Sequence, residues 1–262
     1  DAQRLAYADR DHFFADPDWV DVPVEALLDQ TYLRQRANAR FAPDAVPKHG
    51  NPLGGTALGA DTTQEPIGTT HLSLIDSEGN AVSFTATVES AFGSARWVGG
   101  FLLNNEMTDF ARGYDAEMPL PANVIAGGKR PRSSMSPTMV FDESGELVLV
   151  TGSPGGNSIP AYVAKTIIGI FDWQLTPQQA VDHPNIIARG SKVRVEIGVD
   201  GGAEVAANLK NLGYEVQERE GENSGIHLIQ VTKDGLVGAA DMRREGTAVS
   251  YTHLRAHETQ RY

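Results

Sequence analysis

The 262-residue sequence predicts an α+β fold, with strands through its middle and helices on either side. Three observations carry that prediction. Residues 70–76 and 81–87 both alternate apolar with polar side chains, the period-two signature of paired strands. Residues 138–141 and 147–151 repeat that pattern around a turn at 142–146. Ile159, Tyr162, Val163, Thr166, Ile167, Ile170 and Phe171 then recur at helical spacing. Hydrophobic residues make up 40% of the chain, ample for the core of one large domain or two small ones.

Taken in order, residues 1–41 read as helical. Pro23 opens a segment with Val24, Leu27, Leu28, Tyr32 and Leu33 on one face. Residues 42–67 are polar, rich in Gly and Pro and without hydrophobic period, and read as a linker. The first hairpin follows, with Leu72 and Leu74 on one face. Ser77-Glu78-Gly79 suits a three-residue loop closed by Gly79 in the left-handed region. The second hairpin delivers the chain into Gly152-Ser153-Pro154-Gly155-Gly156, just ahead of the helix that carries the apolar stripe. Thr176-Pro177-Gln178-Gln179 is a capping box with Pro at the first helical position. A helix is predicted over 204–212, ending at Gly213. The last strands, 226–231 and 236–241, turn at Lys233-Asp234-Gly235.

The hairpin register has chemical content. With a three-residue loop Asp76 pairs with Asn80, and counting outward sets Thr87 opposite Thr69, close enough for a Thr–Thr hydrogen bond. A Thr-Thr pair opening a strand is ordinary β sequence by itself. A threonine at the first strand position after a dispensable linker is also what a self-released nucleophile needs. Its hydroxyl requires a base. Cleavage between Gly68 and Thr69 would supply one in the new α-amine, whose ordinary pKa is about 7.7–8.0. Thr87 would then orient the Thr69 hydroxyl. Adjacent glycine N–H groups ahead of a helix form an anion-binding nest, so Gly155 and Gly156 are candidates for an oxyanion hole.

Composition removes several alternatives. Lys+Arg 22 against Asp+Glu 34 gives a formal charge of −12, which argues against nucleic-acid and anionic-membrane partners. The basic cluster Lys129-Arg130-Pro131-Arg132 reads as a solvated or substrate-lining loop. No apolar run approaches the roughly 20 residues of a membrane span. The absence of Cys excludes disulfides, thiolate catalysis and sulfur-ligated metals. The sequence lacks G-x-S-x-G, a P-loop lysine and the dinucleotide-binding glycine pattern. There is no initiator Met, and Asp1 leads at once into a mid-helix pattern, so a missing native N terminus is expected. Residues 251–262 break the preceding pattern and read as a non-native tail. His253 and His257 within it have the spacing of a helical metal pair but no further ligands, so no metal site is assigned.

Five ordered blocks together resemble the γ-glutamyltranspeptidase family of N-terminal-nucleophile hydrolases. They are Thr69-Thr70-His71-x-Ser73, Asp76-x-x-Gly79-Asn80-Ala81-Val82, Leu102-Leu103-Asn104-Asn105, Arg130-Pro131-x-Ser133-Ser134-Met135-Ser136-Pro137, and Gly152-Ser153-Pro154-Gly155-Gly156. The resemblance implies a four-layer αββα sandwich and self-cleavage before Thr69. It implies a division into residues 1–68 as the end of a large subunit with its linker and 69–250 as the small catalytic subunit. It makes Thr69 the nucleophile, Thr87 its partner, and Gly155 and Gly156 the oxyanion hole. It assigns Asp109 to a substrate α-ammonium and Ser133 and Ser134 to the α-carboxylate. The family's carboxylate-clamping arginine belongs to a region that this sequence does not include.

Two positions depart from the family pattern. Glu89 stands where glutathione-cleaving members carry Asn, and Glu106 where they carry Gln. Both would flank the ammonium pocket, and both bring the chain closer to a subgroup that includes glutaryl-cephalosporin acylases. The implied activity is hydrolysis and transfer of γ-glutamyl amides such as glutathione, with water, an amino acid or a dipeptide as acceptor and with no cofactor. A glutaryl-type acylase and an inactive truncated fragment are the alternatives. Family analogy points to a periplasmic or secreted protein.

Overall fold

In the computed structural model the described residues are 1–39, 41–52, 58–59, 61, 63–66, 68–115, 117 and 119–250. The proposed tail, with His253 and His257, lies outside them. The helical elements at the start are α1 (Ala2–Phe13), α2 (Val24–Leu27) and α3 (Gln30–Ala37). The expected continuous stripe is interrupted at Asp29, whose carboxylate accepts hydrogen bonds from the N–H groups of Thr31 and Tyr32 and so starts a new helix. Of its apolar residues only Tyr32 is buried; Val24, Leu28 and Leu33 stay exposed.

The first hairpin comprises β1 (Thr69–Ile75) and β2 (Ala81–Thr87), in the register expected from the turn, with Thr69 opposite Thr87. Asp76 N–H donates to Asn80 O and Gly79 N–H to Asp76 O, with Gly79 at φ +84°. Two short arms follow, β3 (Trp97–Val98) and β4 (Phe101–Leu102), then β5 (Thr138–Phe141) and β6 (Leu147–Gly152). Next come α4 (Ile159–Phe171), α5 (Pro177–Asp182), β7 (Ile186–Arg189), β8 (Lys192–Glu196), α6 (Gly202–Asn211), β9 (Glu215–Arg219), β10 (His227–Thr232) and β11 (Gly235–Ala240). The last turn is tighter than expected. Gly235 pairs with Thr232, leaving only Lys233 and Asp234 in the loop.

A four-stranded sheet in the order β11-β10-β6-β5 forms the middle of the molecule. On one face α4 and α5 bury Tyr162, Ile170, Ala180 and Val181 against Leu149, Ile226, Leu228 and Ala239. The β1–β2 hairpin stacks on the other face, over β6 and β10. That inter-sheet layer is polar. Ser73 Oγ donates to His227 O at 3.1 Å and Ser83 Oγ to Thr151 O at 2.8 Å. His71 is buried there between Thr85 Oγ1 at 2.7 Å and Ser73 Oγ at 3.1 Å. Burial, then the neighbouring His227, pushes the His71 pKa down to about 4, so the ring is neutral at pH 7. The apolar face, with Leu72, Leu74, Val82 and Phe84, is therefore the outward one. Strand alternation located the hairpin but inverted the usual sense of its faces.

A second core lies beside the first. The sheet β7-β8-β9 carries α6 across Val193, Val195, Ala206 and Ala188, and α1 packs on β7. The two cores are joined by a buried polar cluster in which Glu196 accepts from Asn185 and Arg243, and Asp241 accepts from Ser224.

Candidate active site

Three polar residues described just ahead of β1 are held inside the protein. Asp61, Thr63 and Glu65 are all buried. Asp61 pairs with Arg132 at 3.2 Å and accepts from Asn123, while the Glu65 carboxylate pairs with Arg10 of α1. The Glu65 N–H donates to Asn157 Oδ1. Arg132 is thereby drawn inside, and Lys129 is buried as well, donating to Ala122 O at 2.6 Å, so of the two readings of the basic loop, solvated or substrate-lining, the solvated one does not hold for these two side chains. Only Arg130 remains largely exposed, paired with Asp16 and Asp18. Buried charges persist only when paired, which is why Arg132 is buried together with Asp61 and Glu65.

This segment ends at Gly68, which lies against the backbone of the turn after β2. A Cβ on Gly68 would sit 2.0 Å from Glu89 O. Thr69 follows as the first residue of β1 and is buried. Its hydroxyl donates to Thr87 Oγ1 at 3.3 Å, and Thr87 Oγ1 also accepts from Glu89 N–H at 2.7 Å. The Thr69 carbonyl accepts from Arg244 Nη1 at 3.0 Å, and Arg244 Nε donates in turn to Asn223 O. Arg244 is 175 residues from Thr69 and has no motif around it, so sequence reasoning passed over it.

Thr69 and Thr87 open into a small cavity lined also by Glu65, Pro66, Glu89, Glu106, Asp109, Ser133, Ser134, Met135, Gly156 and Ile159. Eight of the nine sequence-selected site residues therefore share one cavity. Gly155 is the exception and is turned against the Tyr162 ring, where a Cβ would approach Tyr162 Cε2 to 2.5 Å. Gly155 at φ +138° and Gly156 at φ +56° take backbone conformations that glycine alone adopts readily. A Cβ at Gly156 would be 2.6 Å from both Glu65 O and Pro66 O, so the uncut linker presses its carbonyls on this turn.

The other wall is acidic. Glu89 is not part of a strand. It sits beyond the end of β2 at φ +73°. Its carboxylate accepts from Ser90 Oγ at 2.9 Å, Thr108 Oγ1 at 2.8 Å and Asn105 Nδ2. Asn105 and Thr108, which were given no role in the sequence reading, thus hold Glu89 in place. Asp109 closes the 3-10 turn Glu106–Asp109 and is buried, with one carboxylate oxygen lacking a hydrogen-bond partner. Burial, then the nearby Glu65, Glu89 and Glu106, pushes its pKa up to about 8. Burial and Glu89 also raise Glu106.

The two serines diverge. Ser134 is buried and its Oγ accepts from Arg10 Nη2 at 2.5 Å. Ser133 is exposed at the rim and accepts from Met135 N–H at 3.1 Å. The cavity is thus lined by the Thr69–Thr87 alcohol pair, by the two serines, one of which accepts from the buried Arg10, and by a cluster of carboxylates. Among the described residues no group of His, Asp or Glu is arranged to hold a metal ion, and no helix is long and apolar enough to cross a membrane.

A sequence model of the Gamma-glutamyltranspeptidase family matches residues 1–251. A glutathione hydrolase proenzyme of Pseudomonas aeruginosa is 34% identical over 258 residues, covering 94% of this chain and 44% of that protein. An acylase proenzyme of a Pseudomonas species is 32% identical over 253 residues, covering 95% and 42%. The chain therefore spans less than half the length of these relatives. Among solved structures, a gamma-glutamyltranspeptidase from Pseudomonas nitroreducens complexed with L-DON superposes with a TM-score of 0.61 at 33% identity, over 69% of this chain and 98% of that one. A cephalosporin acylase from Bacillus halodurans, at 24% identity, shares the fold over 93% of this chain and 42% of that one, with a TM-score of 0.77. The fold is accordingly α+β, of the N-terminal-nucleophile hydrolase type, and the chain belongs to the γ-glutamyltranspeptidase family.

Proposed function

We propose that this chain forms the catalytic part of a self-cleaving γ-glutamyl amide hydrolase and transpeptidase, with Thr69 as its nucleophile. The observation that carries the reading is the Thr69–Thr87 hydroxyl pair, facing a cavity lined by a carboxylate cluster and by the hydroxyls of Ser133 and Ser134, which suit the two charged groups of an α-amino acid. Relatives named as proenzymes support a precursor that is cut in two. Residues 1–68 would then end the large subunit, and 69–250 would be the small one.

In maturation the Thr69 hydroxyl attacks the Gly68 carbonyl carbon. The C–N bond breaks, its nitrogen takes the proton, and Gly68 is held as an ester on Thr69 Oγ. Water hydrolyses the ester, leaving a Gly68 carboxylate and a free Thr69 amine. In turnover that amine takes the hydroxyl proton while Oγ attacks the γ-carbonyl carbon of the substrate. Backbone N–H groups at Gly155 and Gly156 would stabilise the tetrahedral oxyanion. The proton passes to the departing amine, and water or an acceptor amine resolves the γ-glutamyl ester. Asp109, with Glu89 and Glu106 near it, would bind the substrate ammonium, and Ser134 with Ser133 at the rim its α-carboxylate.

The glutaryl-acylase reading rests on Glu89 and Glu106. A glutaryl group has no ammonium, so three carboxylates in one pocket would face nothing of opposite charge. The γ-glutamyl reading is therefore preferred. The test is kcat/KM for matched γ-glutamyl and glutaryl amides on the matured protein and on Glu89→Gln. A preference for the γ-glutamyl amide, reduced in Glu89→Gln, is expected; preference for the glutaryl amide would promote the acylase.

A further inference from the structure

A second cavity, of about 380 Å³, lies between α1 and the β7-β8-β9 sheet, apart from the one at Thr69. The periods of helix and strand decide what faces it. Arg4, Tyr7, Ala8 and Asp11 recur at three- and four-residue spacing and form one face of α1. Ala188, Val193 and Val195 pack under α6, so the alternate positions Ile187, Arg189, Lys192 and Arg194 turn the other way, into the cavity. Arg189 and Lys192 are also direct cross-strand partners, and like charges so placed repel. Four cations thus meet a single lining carboxylate, Asp11, in a chain whose formal charge is −12.

Three of the four are partly neutralised. Lys192 pairs with Glu215 at 2.8 Å, Arg194 with Glu222 at 2.5 Å and Arg189 with Asp11 at 2.8 Å. Arg4 is served less well. It is 1% exposed, donates to the carbonyls of Gly190 at 2.9 Å and of Ala45, and stands 3.6 Å from the half-exposed Asp1 carboxylate. Arg4 Nη1, Arg189 Nη1 and Asn157 Nδ2 are all buried without a hydrogen-bond partner, and all three side chains line this cavity. Buried donors are rarely left unpaired, and a buried cation needs a counter-charge.

We propose that this cavity is a binding site for a small organic dianion of the dicarboxylate class, held by Arg4, Arg189 and Asn157. Guanidinium N–H groups match carboxylate oxygens, and two arginines with one free nitrogen each call for two acceptor groups. Ala8, Val46, Pro47 and Ile187 complete the wall and give a short carbon chain an apolar surface to lie on. A bare inorganic ion would leave that surface uncovered. Arg4 comes from α1 and Arg189 from β7, so the bound dianion would clamp the helix onto the sheet. The site is independent of which residue is the nucleophile.

The test is calorimetric titration of the full chain carrying Thr69→Ala, which keeps it in one covalent state, at constant ionic strength. The probes are succinate, its neutral counterpart succinamide, acetate and inorganic phosphate. Succinate should bind at least tenfold more tightly than acetate or phosphate and should raise the Tm progressively, while succinamide should not bind. Arg189→Gln should weaken succinate at least tenfold, and Arg189→Lys less. Lys210→Gln, which removes a cation outside the cavity, should leave binding unchanged. The proposal is overturned if succinate gives neither heat nor a Tm shift, if succinamide binds as well, or if Arg189→Gln and Lys210→Gln behave alike. Tighter binding of phosphate than of succinate would overturn the dicarboxylate assignment. Should Arg189→Gln fail to fold, Lys192→Gln, at a side chain 59% exposed, takes its place. It should weaken succinate at least threefold, and no change would overturn the proposal.

Discussion

Replacing Thr87 by Val separates orientation of the nucleophile from stability of the turn that holds it. Valine keeps the shape of the side chain and removes one oxygen. That oxygen accepts two hydrogen bonds, from Thr69 Oγ1 at 3.3 Å and from Glu89 N–H at 2.7 Å. A neutral intramolecular hydrogen bond contributes about 0.5–1.5 kcal/mol net. Each 1.36 kcal/mol of barrier is about tenfold in rate, so losing the Thr69 contact should slow self-cleavage about 2- to 13-fold. Orphaning the buried Glu89 N–H should cost about 1–3 kcal/mol of stability, read independently as a lower Tm. Thr87→Ser keeps the oxygen and should cleave close to the wild-type rate. The assay is a time course of intact mass under fixed conditions, with thermal melts of the same samples. If Thr87→Val cleaves as fast as wild type while its Tm falls, the hydroxyl serves only the Glu89 turn. The role given to Thr87 is then refuted.

Gly68→Ala should stop or strongly slow the same cleavage, because its Cβ would fall 2.0 Å from the Glu89 carbonyl oxygen and backbone must move to admit it. An unchanged rate on the mass time course would show that the segment is not held against that turn. In the uncut chain, which Thr69→Ala preserves, burial and the nearby Glu65, Glu89 and Glu106 push the Asp109 pKa up to about 8 from an ordinary 3.8. Between those values the folded chain holds a proton that the unfolded chain has lost, so stability falls as pH rises from about 4 to about 8. The Tm of Thr69→Ala should therefore drop across that range relative to Thr69→Ala/Asp109→Asn; parallel curves would show that Asp109 titrates normally.

The site was legible where local rules fix geometry. Asp76 and Gly79 set the length of one turn, and period two then carries the register seven residues back to Thr69 and forward to Thr87. The paired glycines announced the turn ahead of α4 for the same reason, since their backbone needs are local. What stayed hidden depends on distant partners. Glu65 and Arg10 are 55 residues apart, and neither occurs in a pattern that predicts burial. A polar stretch without period reads as a linker, and only the arginines that meet Asp61 and Glu65 reveal that its last part holds buried carboxylates. Strand β9, Glu-Val-Gln-Glu-Arg, has just one apolar side chain and owes its form to parallel pairing with β8. Which hairpin face turns inward could not be read from the alternation, because serine, threonine and histidine fill the layer between the sheets, satisfied by carbonyls that no sequence pattern exposes.

The most direct measurement is the intact mass of the chain after incubation, with N-terminal analysis of any new fragment. Wild type should yield a break between Gly68 and Thr69, giving a fragment that begins Thr69-Thr70-His71. Thr69→Ala should remain a single chain, and Thr70→Ala should still be cut at the same bond. A break at another position, or Thr69→Ala cut as readily as wild type, would contradict the assignment of Thr69 as the nucleophile.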